Sequence, residues 1–208
     1  MKLVFLGAPG CGKGTIAQII SKKLKIPHIS TGEILRNEVA KKTEIGKKIG
    51  KIMAKGNFPP NKYSIAVTEK RISQKDCKNG YILDGFPRNS VQAKALSKFT
   101  RVDAVIDLDL DEKKIIDRLS ARRVCQKCKR QYNLKTSMRP KKDSLCDVCK
   151  IQLVKRSDDD PKIIKHRMVV YHQLTQPIIK YYKKQNKLFK IDASGEPDQI
   201  AKRVLKKL

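Results

Sequence analysis

Four glycines, a lysine and a threonine fall close together near the start of the chain, in Gly7-Ala8-Pro9-Gly10-Cys11-Gly12-Lys13-Gly14-Thr15, a mixture suited to holding an anion. Glycine reaches backbone angles closed to other residues, so successive N–H groups can turn inward around a phosphate, and Lys13 adds a mobile charge. The residues that follow, Ile16, Ala17, Ile19, Ile20 and Leu24, are spaced as on a helix, which would aim a helix N-terminus at the same anion. The loop fits GxxxxGK from Gly7 to Lys13, with Gly14 standing before the hydroxyl of Thr15. A plain glycine-rich turn would explain the glycines, but not the apolar run Leu3 to Leu6 before them and the helix behind.

A second constellation has different chemistry. Cys125, Cys128, Cys146 and Cys149 form two CxxC pairs separated by 17 residues, the spacing of a tetrathiolate zinc site. Each pair can offer two sulfurs to one tetrahedral ion at about 2.3 Å per bond, and the closed sphere leaves no position for water, so such a metal would be structural. A redox pair or disulfides are the rival reading. The glycine that often follows the second cysteine of such a knuckle is replaced by Lys129 and Lys150. Cys11 and Cys77 lie outside the cluster. Between residues 122 and 156 there are twelve Lys or Arg against two acids, Asp143 and Asp147, a charge suited to covering a polyanion.

Between these lies Tyr81-Ile82-Leu83-Asp84-Gly85-Phe86-Pro87-Arg88, a buried strand running into a carboxylate, a glycine and an arginine. Asp84 at a strand's carboxyl end would face the phosphate loop and could hold magnesium, directly or through water, although Asp-Gly alone is a common turn. Arg36, Arg88, Arg122, Arg123, Arg156 and Arg167 recur where phosphates would converge. Guanidinium forks match phosphate oxygens in pairs and keep their charge; for any one of them a surface ion pair is the plain alternative. Asp158, Asp159 and Asp160 precede Pro161 at a helix start, where they could serve as caps.

To position these groups the chain offers five short apolar runs that read as strands: Leu3 to Leu6, His28 to Ser30, Tyr81 to Leu83, Ala104 to Leu110 and Leu188 to Ile191. Helical periodicity fills the gaps, as in Ile65 to Ile72 and Ile163 to Tyr182. The alternation predicts an α/β fold of three layers around a five-stranded parallel sheet. Residues 31 to 60, broken at Gly56, Pro59 and Pro60, and residues 122 to 157, polar and cysteine-rich, interrupt the rhythm and read as insertions at the sheet's carboxyl edge. That leaves 1 to 30, 61 to 121 and 158 to 208 as the core. The 208 residues suffice for one core that removes roughly 70 % of the unfolded surface from water. The short apolar run at the start suits neither a secretion signal nor a membrane span, so a cytoplasmic protein is expected.

Forty-eight basic residues against 20 acidic ones give a net charge of +28, an attraction for polyanions without specificity. Lys22, Lys23, Lys41, Lys42, Lys47 and Lys48 read as solvated helix faces, and 5 % aromatic residues with no Trp supply little stacking surface for nucleic acid. A nucleic-acid-binding zinc protein with a regulatory ATPase is the rival class.

Taken with Ser30-Thr31-Gly32-Glu33-Ile34-Leu35-Arg36, Gln92, Asp117-Arg118, the run from Arg122 to Cys125 and that from Arg156 to Asp159, these motifs stand in an order that resembles adenylate kinase over nearly the whole length, in the form with a long zinc-carrying lid. The resemblance implies reversible phosphoryl transfer from Mg·ATP to AMP giving two ADP, by a chain that acts as a monomer and needs neither membrane nor nucleic acid. It implies that Gly10, Cys11, Gly12, Lys13, Gly14 and Thr15 hold the ATP phosphates, that Arg118 stacks on the ATP adenine, and that Asp84 anchors the magnesium water shell. Thr31, Arg36, Gly85, Arg88 and Gln92 would form the AMP site, with Gln92 reading the adenine edge. Arg122, Arg156 and Arg167 would close on the phosphates, with Asp158 and Asp159 ordering those charges. The acceptor is already anionic, so no general base is required, and His28, His166 and His172 read as strand-end or helix-surface residues. Pro59 and Asn61 depart from the family pattern, where a small aliphatic residue and an acid are more usual. That departure keeps a UMP/CMP-type kinase open as a same-class alternative.

Overall fold

Runs of β-branched and other apolar residues form strands here because both faces of the sheet are covered, so no polar alternation is needed. The computed structural model describes every residue except Asp143. In chain order its strands are β1 (Lys2–Gly7), β2 (His28–Ser30), β3 (Tyr81–Asp84), β4 (Ala104–Asp109), β5 (Arg122–Cys125), β6 (Gln131–Asn133), β7 (Leu153–Val154) and β8 (Leu188–Asp192). The α-helices are α1 (Lys13–Leu24), α2 (Thr31–Ala40), α3 (Glu44–Ala54), α4 (Asn61–Ile72), α5 (Ser90–Phe99), α6 (Glu112–Ser120), α7 (Pro161–Val170), α8 (Gln176–Lys183) and α9 (Pro197–Leu205).

The main sheet has the order β2-β3-β1-β4-β8 and every pairing in it is parallel. Leu3, Phe5, Ile82 and Ile106 on one face pack against Ile16 and Ile20 of α1 and Ile200 and Val204 of α9. Val4, Leu6, Leu83 and Val105 on the other face pack against Ala93 and Leu96 of α5 and Ile178 and Tyr182 of α8. The result is the three-layer α/β architecture that the alternating runs predict. All strands point their carboxyl ends the same way, so Gly7, Ser30 and Asp84 emerge along one edge, where ligands bind in such sheets.

Residues 31 to 60 fold as α2 and α3, capped by Ser30 and Thr43, whose hydroxyls accept from the backbone N–H groups of Glu33 and Gly46. The helix expected from Ile65 begins earlier, at Asn61. The long helix expected from Ile163 to Tyr182 is interrupted by a π-helical turn at Tyr171–Thr175. Pro177 lies just beyond that turn and has no N–H to continue an α ladder, which is the ordinary cause of such a bulge.

The cysteine-rich segment forms a separate antiparallel sheet, β6-β5-β7, around Cys125, Tyr132, Cys146 and Leu153. Ordering each residue costs about 1–2 kcal/mol of backbone entropy, so two large apolar side chains cannot alone hold a segment of this length. No helix among the described residues is long and apolar enough to cross a membrane.

Candidate active site

The loop after β1 is shaped by close approach. Gly7 has φ +132°, and a Cβ there would meet the Leu108 carbonyl oxygen at 2.5 Å, so glycine is required. Gly12 caps α1 with φ 106°, and among the described residues no side chain accepts from the N–H groups of that helix's first turn. Those donors, with the positive end of the helix dipole, are left for a ligand. The Lys13 amine bridges the loop, donating to Gly7 O at 2.7 Å and Ala8 O at 2.8 Å. Cys11 is fully buried in the core beneath the loop.

Asp84 closes β3 one strand away, in register with Phe5 of β1. Its Oδ2 lies 3.3 Å from His28 Nε2, and the same oxygen lies 3.3 Å from where a Cβ on Gly14 would stand. Burial works against its charge, yet His28, Lys13 and Arg88 together hold its pKa below the ordinary carboxylate value. Arg88 is anchored by its Nε donating to Gly85 O at 2.8 Å, and Phe58 lies across its guanidinium with the ring centroid 4.6 Å away. A cation over an aromatic face is held by the ring quadrupole, so Phe58 fixes the plane of that fork.

The third wall comes from the start of β5 and the segment before α7. Arg122 donates to Asp159 through both Nε, at 2.7 Å, and Nη2. Arg156 Nε donates to Asp158 Oδ1 at 2.8 Å, and Arg167 Nη1 stands 3.1 Å from Asp158 Oδ2 and 3.3 Å from Asp159 Oδ1. Of the three consecutive acids only Asp160 caps α7; the other two are committed to arginines. Burial, reinforced by Arg156, presses Arg36 down to about 9. Arg167 falls to about 10, lowered chiefly by burial and opposed by Asp158. Burial and Arg156 also lower Arg122. These groups stay charged at neutral pH, and their mutual repulsion in a desolvated space is relieved by anions.

One cavity is lined by Gly10, Gly12, Lys13, Gly14, Thr15, Arg118 and Arg122, and equally by Thr31, Arg36, Asp84, Gly85, Arg88, Gln92, Arg156, Asp158 and Arg167. Cys11 and Asp159 support it from beneath, and the four cysteines lie away from it. Arg118 reaches back to Cys11 O and Ala193 O, each at 3.3 Å. Gln131, Asn133 and Met138 also line the cavity, bringing the cysteine-rich segment over the phosphate loop. These three residues carry no motif in the sequence, and neither do the contacts of Phe58 and His28. Only the departure at Asn61 hinted at a local difference. His28 does open a strand, as expected, but its ring turns inward onto Asp84.

In the cysteine cluster all four sulfurs lie within 4.8 Å of one another, and Cys128 Sγ is 3.6 Å from Cys146 Sγ. Tetrahedral thiolates about 2.3 Å from one ion stand roughly 3.8 Å apart, so the donor set fits a metal, whereas a disulfide needs about 2.05 Å. Lys129 and Lys150, which follow the second cysteine of each pair, take left-handed backbone at φ 59° and 57°. That conformation explains why glycine is usual there, and each N–H closes its knuckle on Cys125 O and Cys146 O.

A phosphate loop at the carboxyl edge of a parallel sheet, opening into one cavity with a second basic lobe, defines the class of P-loop nucleotide kinases. Within that class the chain belongs to the adenylate kinase family, whose family model, described as Adenylate kinase, matches residues 5–187. Relatives named adenylate kinase include one from Thermosipho africanus, 45% identical over 210 residues that span 99% of this chain and 98% of the relative. Another from Thermotoga neapolitana is 46% identical over 210 residues, 98% of this chain and 95% of the relative. A third, from Caldicellulosiruptor saccharolyticus, is 43% identical over 213 residues, 100% of this chain and 99% of its own length.

Proposed function

We propose that the chain transfers the γ-phosphoryl group of Mg·ATP reversibly to AMP, giving two ADP. The observation that carries this reading is the one cavity lined both by Lys13 and the start of α1 and by Arg36, Arg88 and Gln92, together with Arg122, Arg156 and Arg167. Two nucleotides placed head to head would set their phosphates among these cations.

The acceptor oxygen is already anionic, so catalysis reduces to alignment and charge neutralisation. Gly10 to Thr15 hold the ATP phosphates, Lys13 follows the transferred group, and Arg118 lies where the adenine of ATP stacks. Thr31, Arg36, Gly85 and Arg88 hold AMP, while Gln92 reads its base. Arg122, Arg156 and Arg167 neutralise the charge that spreads over the moving group; Asp158 and Asp159 keep them aligned without cancelling them. Asp84, with oxygens facing the loop and α1, is the residue to hold the magnesium of Mg·ATP, which supplies charge neutralisation at the phosphates.

Residues 31 to 60 act as the flap over the monophosphate and 122 to 157 as the lid, which excludes water so that ATP is not hydrolysed. Cys125, Cys128, Cys146 and Cys149 hold a structural zinc that gives the lid its shape. The test is ADP formation from ATP with AMP, CMP, UMP and GMP supplied in turn. Rapid ADP formation with AMP is expected, and turnover confined to another monophosphate would overturn the reading.

A further inference from the structure

We infer that Asn61 is a specificity-determining positioning residue, fixing which way round the Gln92 amide faces the base of the monophosphate. The inference rests on Gln92 standing in the AMP site. Asn61 itself does not line the cavity; it stands behind Gln92 at the start of α4.

Donors and acceptors set the orientation of the Gln92 amide. At one end the backbone N–H of Gln92 donates to Asn89 Oδ1 at 3.0 Å, so the Asn89 amide must present its Nδ2 to Asn61. That Nδ2 donates to Asn61 Oδ1 at 2.8 Å, which fixes Asn61 with its oxygen inward. The same oxygen accepts from Gln92 Nε2 at 3.0 Å. At the other end the backbone N–H of Arg88 donates to Gln92 Oε1 at 2.8 Å. Two backbone N–H groups, which cannot reverse, thus set three side-chain amides in series. Turning Gln92 over would set N–H against N–H at Arg88 and oxygen against oxygen at Asn61, in a side chain only 1 % exposed.

An amide carries two N–H donors and two lone pairs, and one of each is used up by this network. Gln92 is left with one acceptor and one donor in a fixed order. That order complements an exocyclic amino group beside an unprotonated ring nitrogen, as in adenine. It opposes an oxo group beside a ring N–H, as in hypoxanthine. Cytosine carries the same order as adenine, so the lock separates amino from oxo bases and not purines from pyrimidines. A site whose buried polar groups would be left unpaired by the wrong ligand discriminates strongly.

AMP and IMP differ at this edge alone, so the test is the ratio of their kcat/KM values in wild type, Asn61→Leu and Asn61→Asp, each checked by thermal melting. Wild type should favour AMP over IMP by more than about a hundredfold. Asn61→Leu removes the acceptor while Arg88 N–H still opposes reversal, so the ratio should fall about tenfold, read in the KM for AMP with the KM for ATP as internal reference. Asn61→Asp keeps an oxygen in place and should retain the ratio. A ratio unchanged in Asn61→Leu, or lowered as far in Asn61→Asp, overturns the inference. Should Asn61→Leu not fold, Asn61→Ala supplies the same comparison. Wild type that converts AMP but takes IMP equally well overturns the inference alone; wild type inert toward AMP overturns the reading beneath it.

Discussion

His28 Nε2 stands 3.3 Å from Asp84 Oδ2, both side chains nearly buried, so a histidine at the start of β2 orients the carboxylate that ends β3. Replacing it with leucine leaves Asp84 without this partner in a desolvated place, which costs a charge-assisted hydrogen bond. His28→Leu should lower kcat/KM for Mg·ATP about tenfold, whereas His28→Gln, which restores an N–H donor, should stay within about threefold of wild type. Steady-state kinetics at saturating AMP reads the difference.

Lys13 and Arg88 both line the cavity and both bear on Asp84, and neither belongs to the apolar core. Lys13→Ala or Arg88→Ala should reduce kcat by about a hundredfold or more while leaving the melting curve close to wild type. Near-normal turnover in either variant would remove that residue from the charge-neutralising set.

Asp159 is fully buried and receives two donors from Arg122. Removing one partner of a buried pair strands the other charge, so Asp159→Leu should destabilise by about 3 kcal/mol and lower the melting temperature by roughly 6–12 °C. Differential scanning calorimetry tests this, and an unchanged transition would show that the pair does not hold the lid hinge to the core.

The lid should depend on its metal. Elemental analysis is expected to find about one zinc per chain, and Cys146→Ser should lower lid protection in hydrogen exchange while the main sheet keeps its own. Lys129→Gly relieves a left-handed side-chain position and should stabilise the lid by up to about 1 kcal/mol.

His172 is half exposed, with Nδ1 3.0 Å from Gln176 Oε1 and Nε2 2.7 Å from Glu112 Oε1. Both partners accept, so the ring serves both only when protonated, and its pKa is raised by Gln176 first and then by Glu112. The stabilisation is therefore full below the unfolded value of about 6.5 and is lost as pH rises through the higher folded value. His172→Ala should melt below wild type at pH 5.5 and coincide with it at pH 9.

The sheet was legible because short, largely apolar segments such as Leu3 to Leu6 and Tyr81 to Leu83 alternate with helical periodicity, and the phosphate loop and cysteine pairs because their chemistry lies in local spacing. The pairs His28 with Asp84, Phe58 with Arg88 and Asn61 with Gln92 were not legible, since each joins segments separated by a helix or more, and periodicity carries no record of which ends meet. The break at Tyr171–Thr175 was hidden because Pro177 interrupts hydrogen bonding without disturbing the apolar stripe. The acids at 158 to 160 divided their roles only through the arginines they meet.

The central claim is two nucleotides head to head in one cavity, and a mimic joining two adenosines through five phosphates tests it directly. Calorimetric titration should show one mimic per chain, bound more than about a hundredfold more tightly than ATP or AMP alone, with the advantage lost in Arg88→Ala. Binding no tighter than ATP, or two molecules per chain, would contradict the account.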